Sequence, residues 1–178
     1  MVELKDASLS VGGKSLFAHL SMIAHQGQIT CITGGAGTGK TLLLRVMLGF
    51  VALDEGLISI DGELLTALSA SVFRRMMAYV PQSVSPCYSG YIPDTDDLET
   101  VWGDGKWSYY DSQPLEKPVV VVQDKPIVIV DDPDVSLLSQ LSSLASDGKT
   151  VIIASRQKEF LNMSDKVIIL ENNDILNS

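Results

Sequence analysis

The stretch GGAGTGKT at residues 34–41 decides the fold that we expect for this chain. It fits the pattern G-x-x-x-x-G-K-[ST] and lies between a strand-like run at 28–33 and a helix-forming run at 40–48. Glycines let such a loop curl until successive N–H groups face a phosphate, and the following helix adds partial positive charge. We therefore predict a phosphate-binding loop in which Lys40 contacts the β- and γ-phosphates and Thr41 binds Mg²⁺. Its predicted nucleotide-binding residues are Gly34, Gly35, Ala36, Gly37, Thr38, Gly39, Lys40 and Thr41.

Length and composition describe an acidic globular chain. It has 178 residues, an apolar fraction of 46% and a net charge of -9 from 13 basic and 22 acidic side chains. These values fit one domain spanning residues 1–178, and they disfavour a nucleic-acid surface, which needs clustered Lys and Arg. No apolar run reaches about 18 residues, and the first residues lack a signal-peptide pattern. With only Cys31 and Cys87 as cysteines, we expect a cytoplasmic protein without direct membrane insertion.

Strand and helix patterns alternate on both sides of the loop. β-branched runs predict strands at 20–25, 28–33, 57–62, 126–132 and 150–155. Helices are predicted at 40–48, and after residue 137, where leucines recur at helical spacing. The run 165–176 is typical of a hairpin turning at Asn172–Asn173. This alternation favours an α/β fold.

Asp131 provides a second element of a nucleotide site. It follows the apolar run 127–130, and magnesium-bound nucleotides need a carboxylate on a strand beside the phosphate loop. An acid here could instead end the strand as a turn residue before Pro133. Because the phosphate loop is also present, the magnesium-ligand interpretation is favoured.

Residues 83–118 differ in composition from the rest of the chain. They hold seven acids against two lysines, both tryptophans and four of the five tyrosines, with no sustained helical or strand period. One interpretation is a solvated, partly ordered excursion whose aromatic residues pack onto the domain. The other is a docking surface, because aromatic residues with a polar rim suit interfaces. We favour the excursion, and call residues 83–118 the acidic segment.

Over residues 2–82 and 124–177, the chain resembles the nucleotide-binding domain of ABC transporters. The resemblance rests on LKDASLSVGGKSLF (4–17), the stretch 25–63, FRRMMAYVPQ (73–82), PIVIVDDPD (126–134) and the stretch 148–176. It implies an α/β P-loop NTPase core, with a mixed, mainly parallel sheet flanked by helices. It also implies an N-terminal antiparallel β subdomain. The acidic segment stands where the family has most of its helical subdomain, so that subdomain is expected to be reduced.

The resemblance also implies ligands, partners and residue roles. It implies Mg-ATP as the bound nucleotide, with Thr41, Gln82 and Asp131 as magnesium ligands. Gln82 takes the position that senses Mg²⁺ and the γ-phosphate, and Asp132 takes the position of the catalytic base. Family members serve a membrane permease at its cytoplasmic face and form homodimers or heterodimers with another ATP-binding chain.

The chain departs from the family pattern where the family completes hydrolysis. No LSGGQ signature occurs between residues 82 and 131, Asp132 replaces a glutamate, and Arg156 replaces the switch histidine. Leu138 stands at the position of the D-loop aspartate, and Val11 at that of the aromatic that stacks on adenine. We therefore expect Mg-ATP binding with slow or absent hydrolysis. A nucleotide-responsive regulatory module that is not coupled to transport is the alternative.

Four other polar residues receive weaker assignments. His19 and His25 lack partners at metal-ligand spacing, so structural roles are expected for both. Arg74 and Arg75 precede the strand that leads to Gln82. They could pair with the acidic segment or contact a partner, and the sequence leaves both interpretations open.

Overall fold

The structure, a computed structural model, describes residues 1–82 and 125–171. These form strands β1 (Val2–Val11), β2 (Lys14–Ala24), β3 (Ile29–Gly34), β4 (Glu55–Ile60), β5 (Glu63–Leu64), β6 (Met77–Val80), β7 (Ile127–Asp131), β8 (Thr150–Ala154) and β9 (Lys166–Leu170). The α-helices are α1 (Lys40–Met47), α2 (Ala70–Arg74), α3 (Leu138–Ser146) and α4 (Lys158–Met163), and a 3₁₀ turn at Val135–Leu137 leads into α3. The acidic segment, and with it the expected reduced helical subdomain, lies outside the described residues, as does the predicted turn at Asn172–Asn173.

One sheet is antiparallel, with strand order β2-β1-β4-β5. Val11 pairs with Lys14 across Gly12 and Gly13, whose φ angles of 59° and 81° suit a tight hairpin turn. The strand predicted at 20–25 is only the end of β2, which begins at Lys14. Register shifts interrupt the pairing of β1 with β2 and break the alternation of buried and exposed residues. The sequence therefore lacks a clear strand period before residue 20.

The second sheet has the order β6-β7-β8-β3-β9, and all its described neighbours pair in parallel. Strands β7 and β8 are buried along their whole length, which explains the continuous apolar runs that predicted them. Together the two sheets confirm the predicted α/β fold with an N-terminal antiparallel sheet. The first arm of the predicted hairpin at 165–176 is β9.

Helices cover both faces of the parallel sheet, and successive strand residues alternate between two cores. Ile127 and Ile129 of β7 join a cluster that contains the apolar face of α1 and the inner face of the antiparallel sheet. Val128 and Val130 join a second cluster with α3 and α4, which includes Leu141 and Phe160. Helix α1 thus packs between the two sheets, and its N-terminus is fixed at the end of β3.

Two short helices were not predicted from the sequence. Within the stretch 73–82, α2 extends to Arg74, and the strand that leads to Gln82 is only Met77–Val80. Before α2, the Thr66 amide donates to Ser69 Oγ at 2.9 Å and the Ser69 amide donates to Thr66 Oγ1 at 3.3 Å. This reciprocal bonding fixes the turn from which α2 starts. Helix α4 has six residues, too few to show a helical period.

Arg74 is a buried residue rather than a surface charge. Its side chain is 4% exposed, and Nη1 donates to the Leu48 carbonyl at 3.4 Å. The guanidinium carbon also lies 4.8 Å from the centre of the Phe50 ring, within the range of a cation–π contact. Arg74 therefore connects α2 to the end of α1.

Candidate nucleotide-binding site

The predicted site residues lie at one edge of the parallel sheet, where its strands end. Ala154, the last residue of β8, pairs with Ile32 of β3 on one side and with Asp131 of β7 on the other. Gln82 follows the end of β6 by two residues. Because parallel strands point the same way, their carboxyl ends form one edge, which is where α/β sheets bind ligands. The fold thus brings the phosphate loop, Gln82, Asp131 and Asp132 to one side of the molecule.

The phosphate loop runs from β3 into α1 through three glycines with left-handed backbone. The φ angles are 153° at Gly34, 75° at Gly37 and 90° at Gly39, and side chains at such angles cause strain. A β-carbon at Gly37 would meet nothing within 4 Å, so the tip of the loop borders open space. Buried Thr38 braces the loop by donating a hydrogen bond from Oγ1 to the Gly35 carbonyl at 3.0 Å. The loop is therefore a braced turn whose tip at Gly37 borders open space.

Lys40, the first residue of α1, folds its ammonium group back onto this loop. Nζ donates to the carbonyl of Gly34 at 2.9 Å and to that of Gly35 at 2.7 Å. The pKa of Lys40 is lowered, mainly because the ammonium is partly buried and then because the charge of Arg156 is close. A positive charge held in a glycine loop at a helix N-terminus suits an anionic group such as a phosphate.

Thr41 and Asp131 meet beside the loop. The Thr41 hydroxyl lies close enough to the Asp131 carboxylate to oppose the rise of its pKa, and Asp131, at the end of β7, is only 4% exposed. Burial raises the pKa of Asp131, as does the charge of Asp132, while the Thr41 hydrogen bond and the charges of Arg45 and Lys40 oppose the rise. A hydroxyl and a carboxylate are hard oxygen donors of the kind that Mg²⁺ prefers. These two residues therefore fit a magnesium ion next to bound phosphates.

Asp132 and Gln82, the predicted catalytic pair, are in direct contact. Gln82 Nε2 donates to Asp132 Oδ2 at 3.0 Å. Asp132 has a left-handed backbone, with φ at 47°, and its amide donates to the Ala154 carbonyl at 2.7 Å. Aspartate tolerates this conformation better than most residues do. The Asp132 carboxylate is thus turned towards Gln82 at the same edge as the loop.

Arg45 and Tyr79 support the site and were not assigned a role from the sequence. Their side chains are hydrogen bonded, and Tyr79 in β6 is buried. Burial, followed by the charge of Asp131, raises the pKa of Tyr79 to about 12. Arg45 follows Thr41 by four residues and so lies on the same face of α1. That spacing is the signal by which the sequence could have identified Arg45.

The family departures named above have clear places in the fold. Leu138 is partly buried and packs against the second core cluster at the start of α3. Val11 ends β1 and is 53% exposed.

His19 Nδ1 lies 2.8 Å from Asp6 Oδ1 between two strands of the antiparallel sheet, a structural contact. Within residues 1–82 and 125–171, no group of three or more His, Cys, Asp or Glu side chains forms a metal cluster.

Helix length bears on membrane insertion. Among the helices of the described part of the chain, none has both the length and the apolar character to cross a bilayer.

Comparisons with known proteins agree with this geometry. The ABC transporter family model matches residues 17–102. The intermembrane phospholipid transport system ATP-binding protein MlaF of Escherichia coli K12 is 38% identical over 86 residues, which make up 47% of this chain and 32% of MlaF. The chain is thus matched to about a third of the length of this curated relative.

Solved structures share the fold over nearly the whole chain. The ADP conformation of MJ1267, an ATP-binding cassette of an ABC transporter, has a TM-score of 0.72 at 17% identity and covers 97% of this chain and 87% of that one. The dimeric ATP-binding cassette MJ0796 with ADP and Pi has a TM-score of 0.69 at 17% identity and covers 97% of both chains. At this level of identity, the likeness concerns the fold.

Proposed function

We propose that this chain, which matches the ABC transporter family model over residues 17–102, is a nucleotide-binding domain of that kind and binds Mg-ATP at the carboxyl edge of the parallel sheet. The observation that carries the proposal is the contact of Thr41 with Asp131 directly beside the Lys40 ammonium in the glycine loop. Loop residues 34–41 hold the phosphates in this proposal. Thr41, Gln82 and Asp131 supply the oxygen ligands for Mg²⁺.

The proposed role of each residue follows from the contacts that its side chain makes in the structure. Lys40 transfers its hydrogen bonds from the Gly34 and Gly35 carbonyls to phosphate oxygens, which carry more negative charge. Loop amides and the N-terminus of α1 donate to the remaining phosphate oxygens. Bound Mg²⁺ would neutralise negative charge on the phosphates. Asp131 would contribute a carboxylate oxygen to this ion beside the Thr41 hydroxyl.

We propose that hydrolysis is weak or absent. Asp132, in the position of the catalytic base, is one methylene shorter than glutamate and accepts a hydrogen bond from Gln82. Positioning dominates phosphoryl transfer, so a short base engaged by its neighbour costs rate. Arg156, in the switch position, cannot exchange a proton near neutral pH.

Isothermal titration with Mg-ATP tests the binding proposal. We expect saturable binding below about 1 mM, and a loss of affinity of about tenfold or more in Lys40→Ala, because charge-assisted hydrogen bonds to the phosphates are removed. Lys158→Ala is the matched control, since it removes an exposed positive charge at the start of α4 and should bind like wild type. Absence of binding in the folded wild-type protein contradicts the proposal, as does equal affinity in Lys40→Ala.

A transport role is a further proposal, drawn from the relatives. MlaF is by name the ATP-binding protein of a transport system, and the MJ0796 cassette is dimeric. We propose that this chain acts at the cytoplasmic face of a permease, as a homodimer or with a second ATP-binding chain. Co-purification with a membrane protein encoded beside it supports this role.

A nucleotide-responsive regulatory module is the second candidate. The observation that favours it is the acidic segment, with its aromatic residues and its place where the family signature is missing. This candidate predicts a soluble partner whose capture changes with Mg-ATP. Affinity capture with and without Mg-ATP separates the two roles. Capture of a soluble partner that changes with Mg-ATP supports the regulatory module, whereas capture of a membrane permease supports the transport role.

A further inference from the structure

Gln82 and Asp132 follow two neighbouring strands whose register brings them together. Val80 of β6 pairs with Val130 of β7 in the parallel sheet. Gln82 and Asp132 each stand two residues beyond that pair, so the two chains leave the sheet side by side. Gln82 Nε2 donates to Asp132 Oδ2 at 3.0 Å. The strand register thus accounts for the contact between the two side chains.

The backbone of Asp132 directs its carboxylate away from that of Asp131. The φ angle of Asp132 is 47°, in the left-handed region, and its amide donates to the Ala154 carbonyl of β8 at 2.7 Å. Asp131 ends β7 and is buried, whereas Asp132 is half-buried and contacts Gln82. The two consecutive carboxylates therefore have different neighbours, and only that of Asp132 is bonded to the amide of Gln82.

The chemistry of a carboxylate decides which end of the Gln82 amide faces it. An ionised carboxylate only accepts hydrogen bonds, and a carboxamide carries its donors on nitrogen and its acceptor on oxygen. Because Nε2 is directed at Asp132, Oε1 is the end of the amide that is turned away from the carboxylate. Magnesium takes oxygen ligands. The contact with Asp132 therefore selects the orientation in which Gln82 can serve as a magnesium ligand.

We infer that Asp132 is a positioning residue, which holds the Gln82 amide so that Oε1 can bind the magnesium ion of the bound nucleotide. The inference rests on the proposed function, since it concerns the same site. Asp132 fills this role without acting as a base, because it only has to present a hydrogen-bond acceptor to Gln82. Removing an outer-shell partner of a metal ligand typically weakens metal affinity by about 10- to 100-fold.

Titrations with ATP in excess Mg²⁺ and in excess EDTA give two dissociation constants, whose ratio we call the magnesium enhancement. Asp132→Ala and Asp132→Asn remove the same negative charge, so the difference between them reports the hydrogen bond alone. The Asn side chain can present Oδ1 to Gln82 Nε2, and the Ala side chain cannot. We therefore expect the magnesium enhancement of Asp132→Ala to be about tenfold below that of Asp132→Asn.

A double-mutant cycle with Gln82→Ala tests whether Asp132 acts through Gln82. In the Gln82→Ala background, the Ala and Asn variants of Asp132 should show the same magnesium enhancement, because the amide that Asp132 positions is gone. A tenfold difference that persists in this background would overturn the inference, since Asp132 would then act on the metal without Gln82.

Folding of the variants is checked by circular dichroism, and a second variant guards against strain. Ala tolerates the left-handed φ of Asp132 less well than Asn does, whereas Gly adopts it freely. Asp132→Gly also lacks the acceptor, so its magnesium enhancement should match that of Asp132→Ala. A magnesium enhancement in Asp132→Gly equal to that of Asp132→Asn would overturn the inference.

The outcomes separate this inference from the binding proposal. If wild type binds Mg-ATP, but Asp132→Ala and Asp132→Asn show the same magnesium enhancement, the inference is wrong and the binding proposal stands. If the folded wild-type protein does not bind Mg-ATP, both are overturned.

Discussion

Gly34 and Gly37 show that single positions in the phosphate loop need glycine for different reasons. Both have left-handed φ angles, at 153° and 75°. A β-carbon at Gly34 would collide with the Leu170 carbonyl oxygen and lie 2.8 Å from Thr38 Oγ1. At Gly37 the same atom would meet nothing within 4 Å. The first glycine thus allows β3 and β9 to approach, whereas the second only allows the chain to turn.

Alanine at these two positions should have unequal effects on stability. We expect Gly34→Ala to lower the free energy of unfolding by about 3 kcal/mol, because steric overlap with backbone adds to the strain of the left-handed angle. Gly37→Ala, which carries the strain alone, should cost about 1 kcal/mol. Urea unfolding of both variants measures the difference. Equal losses would show that the approach of Leu170 to Gly34 does not constrain the loop.

Among the elements, α2 depends on the turn that precedes it. Ser69 Oγ accepts from the Thr66 amide at 2.9 Å and donates to the Leu64 carbonyl at 2.9 Å. These bonds attach the start of α2 to the end of β5, and α2 carries Phe73 and Arg74 into the core. The turn thus helps to place β6, which leads to Gln82.

Ser69→Ala should lower the free energy of unfolding by about 1 kcal/mol, because it leaves the Thr66 amide and the Leu64 carbonyl without their side-chain partner. Ser71→Ala is the matched control in the same helix. Ser71 is exposed, so its substitution should change stability by less than about 0.5 kcal/mol. Thermal or urea unfolding compares the two variants. A similar loss in both would rule out a specific role for the Ser69 hydroxyl.

A strand or helix could be predicted only where its burial produces a recognisable hydrophobic pattern in the sequence. Strands β7 and β8 were found because burial on both faces makes them apolar runs, and β3 because its β-branched residues favour a strand. Strand β1 was missed because residues such as Asp6, with φ at 53°, interrupt its alternation. Helix α2 was missed because side-chain bonding in the preceding turn, rather than hydrophobic spacing, determines where it begins.

The parts of the candidate site that lie close together in the sequence could be predicted. The contacts between residues far apart in the sequence could not. The loop at 34–41 and Asp131 follow directly from the strand–loop–helix and strand–acid patterns. The contact of Gln82 with Asp132 joins residues 50 positions apart, so it depends on β6 and β7 being neighbours. The closeness of Arg156 to Lys40 likewise requires β8 to lie beside β3. Both proximities depend on the order of the strands in the folded sheet, which the sequence does not show directly.

At the scale of the whole molecule, two sets of groups meet at one sheet edge. Lys40, Thr41 and Asp131 form the set that we propose to hold Mg-ATP, and its contacts are made in the fold itself. Asp132 and Arg156 form the second set, to which the resemblance to the family assigns the completion of hydrolysis. The central claim is that the first set binds Mg-ATP, while the second set does not support rapid hydrolysis of the bound nucleotide.

Phosphate release from protein saturated with Mg-ATP, with saturation confirmed by titration, tests this claim most directly. We predict release at least about 100-fold slower than 1 s⁻¹, the low end of ordinary enzyme turnover, because Asp132 is short and engaged by Gln82. Lys40→Ala serves as the control for contaminating ATPases. A rate of about 1 s⁻¹ or more that disappears in Lys40→Ala would contradict the account.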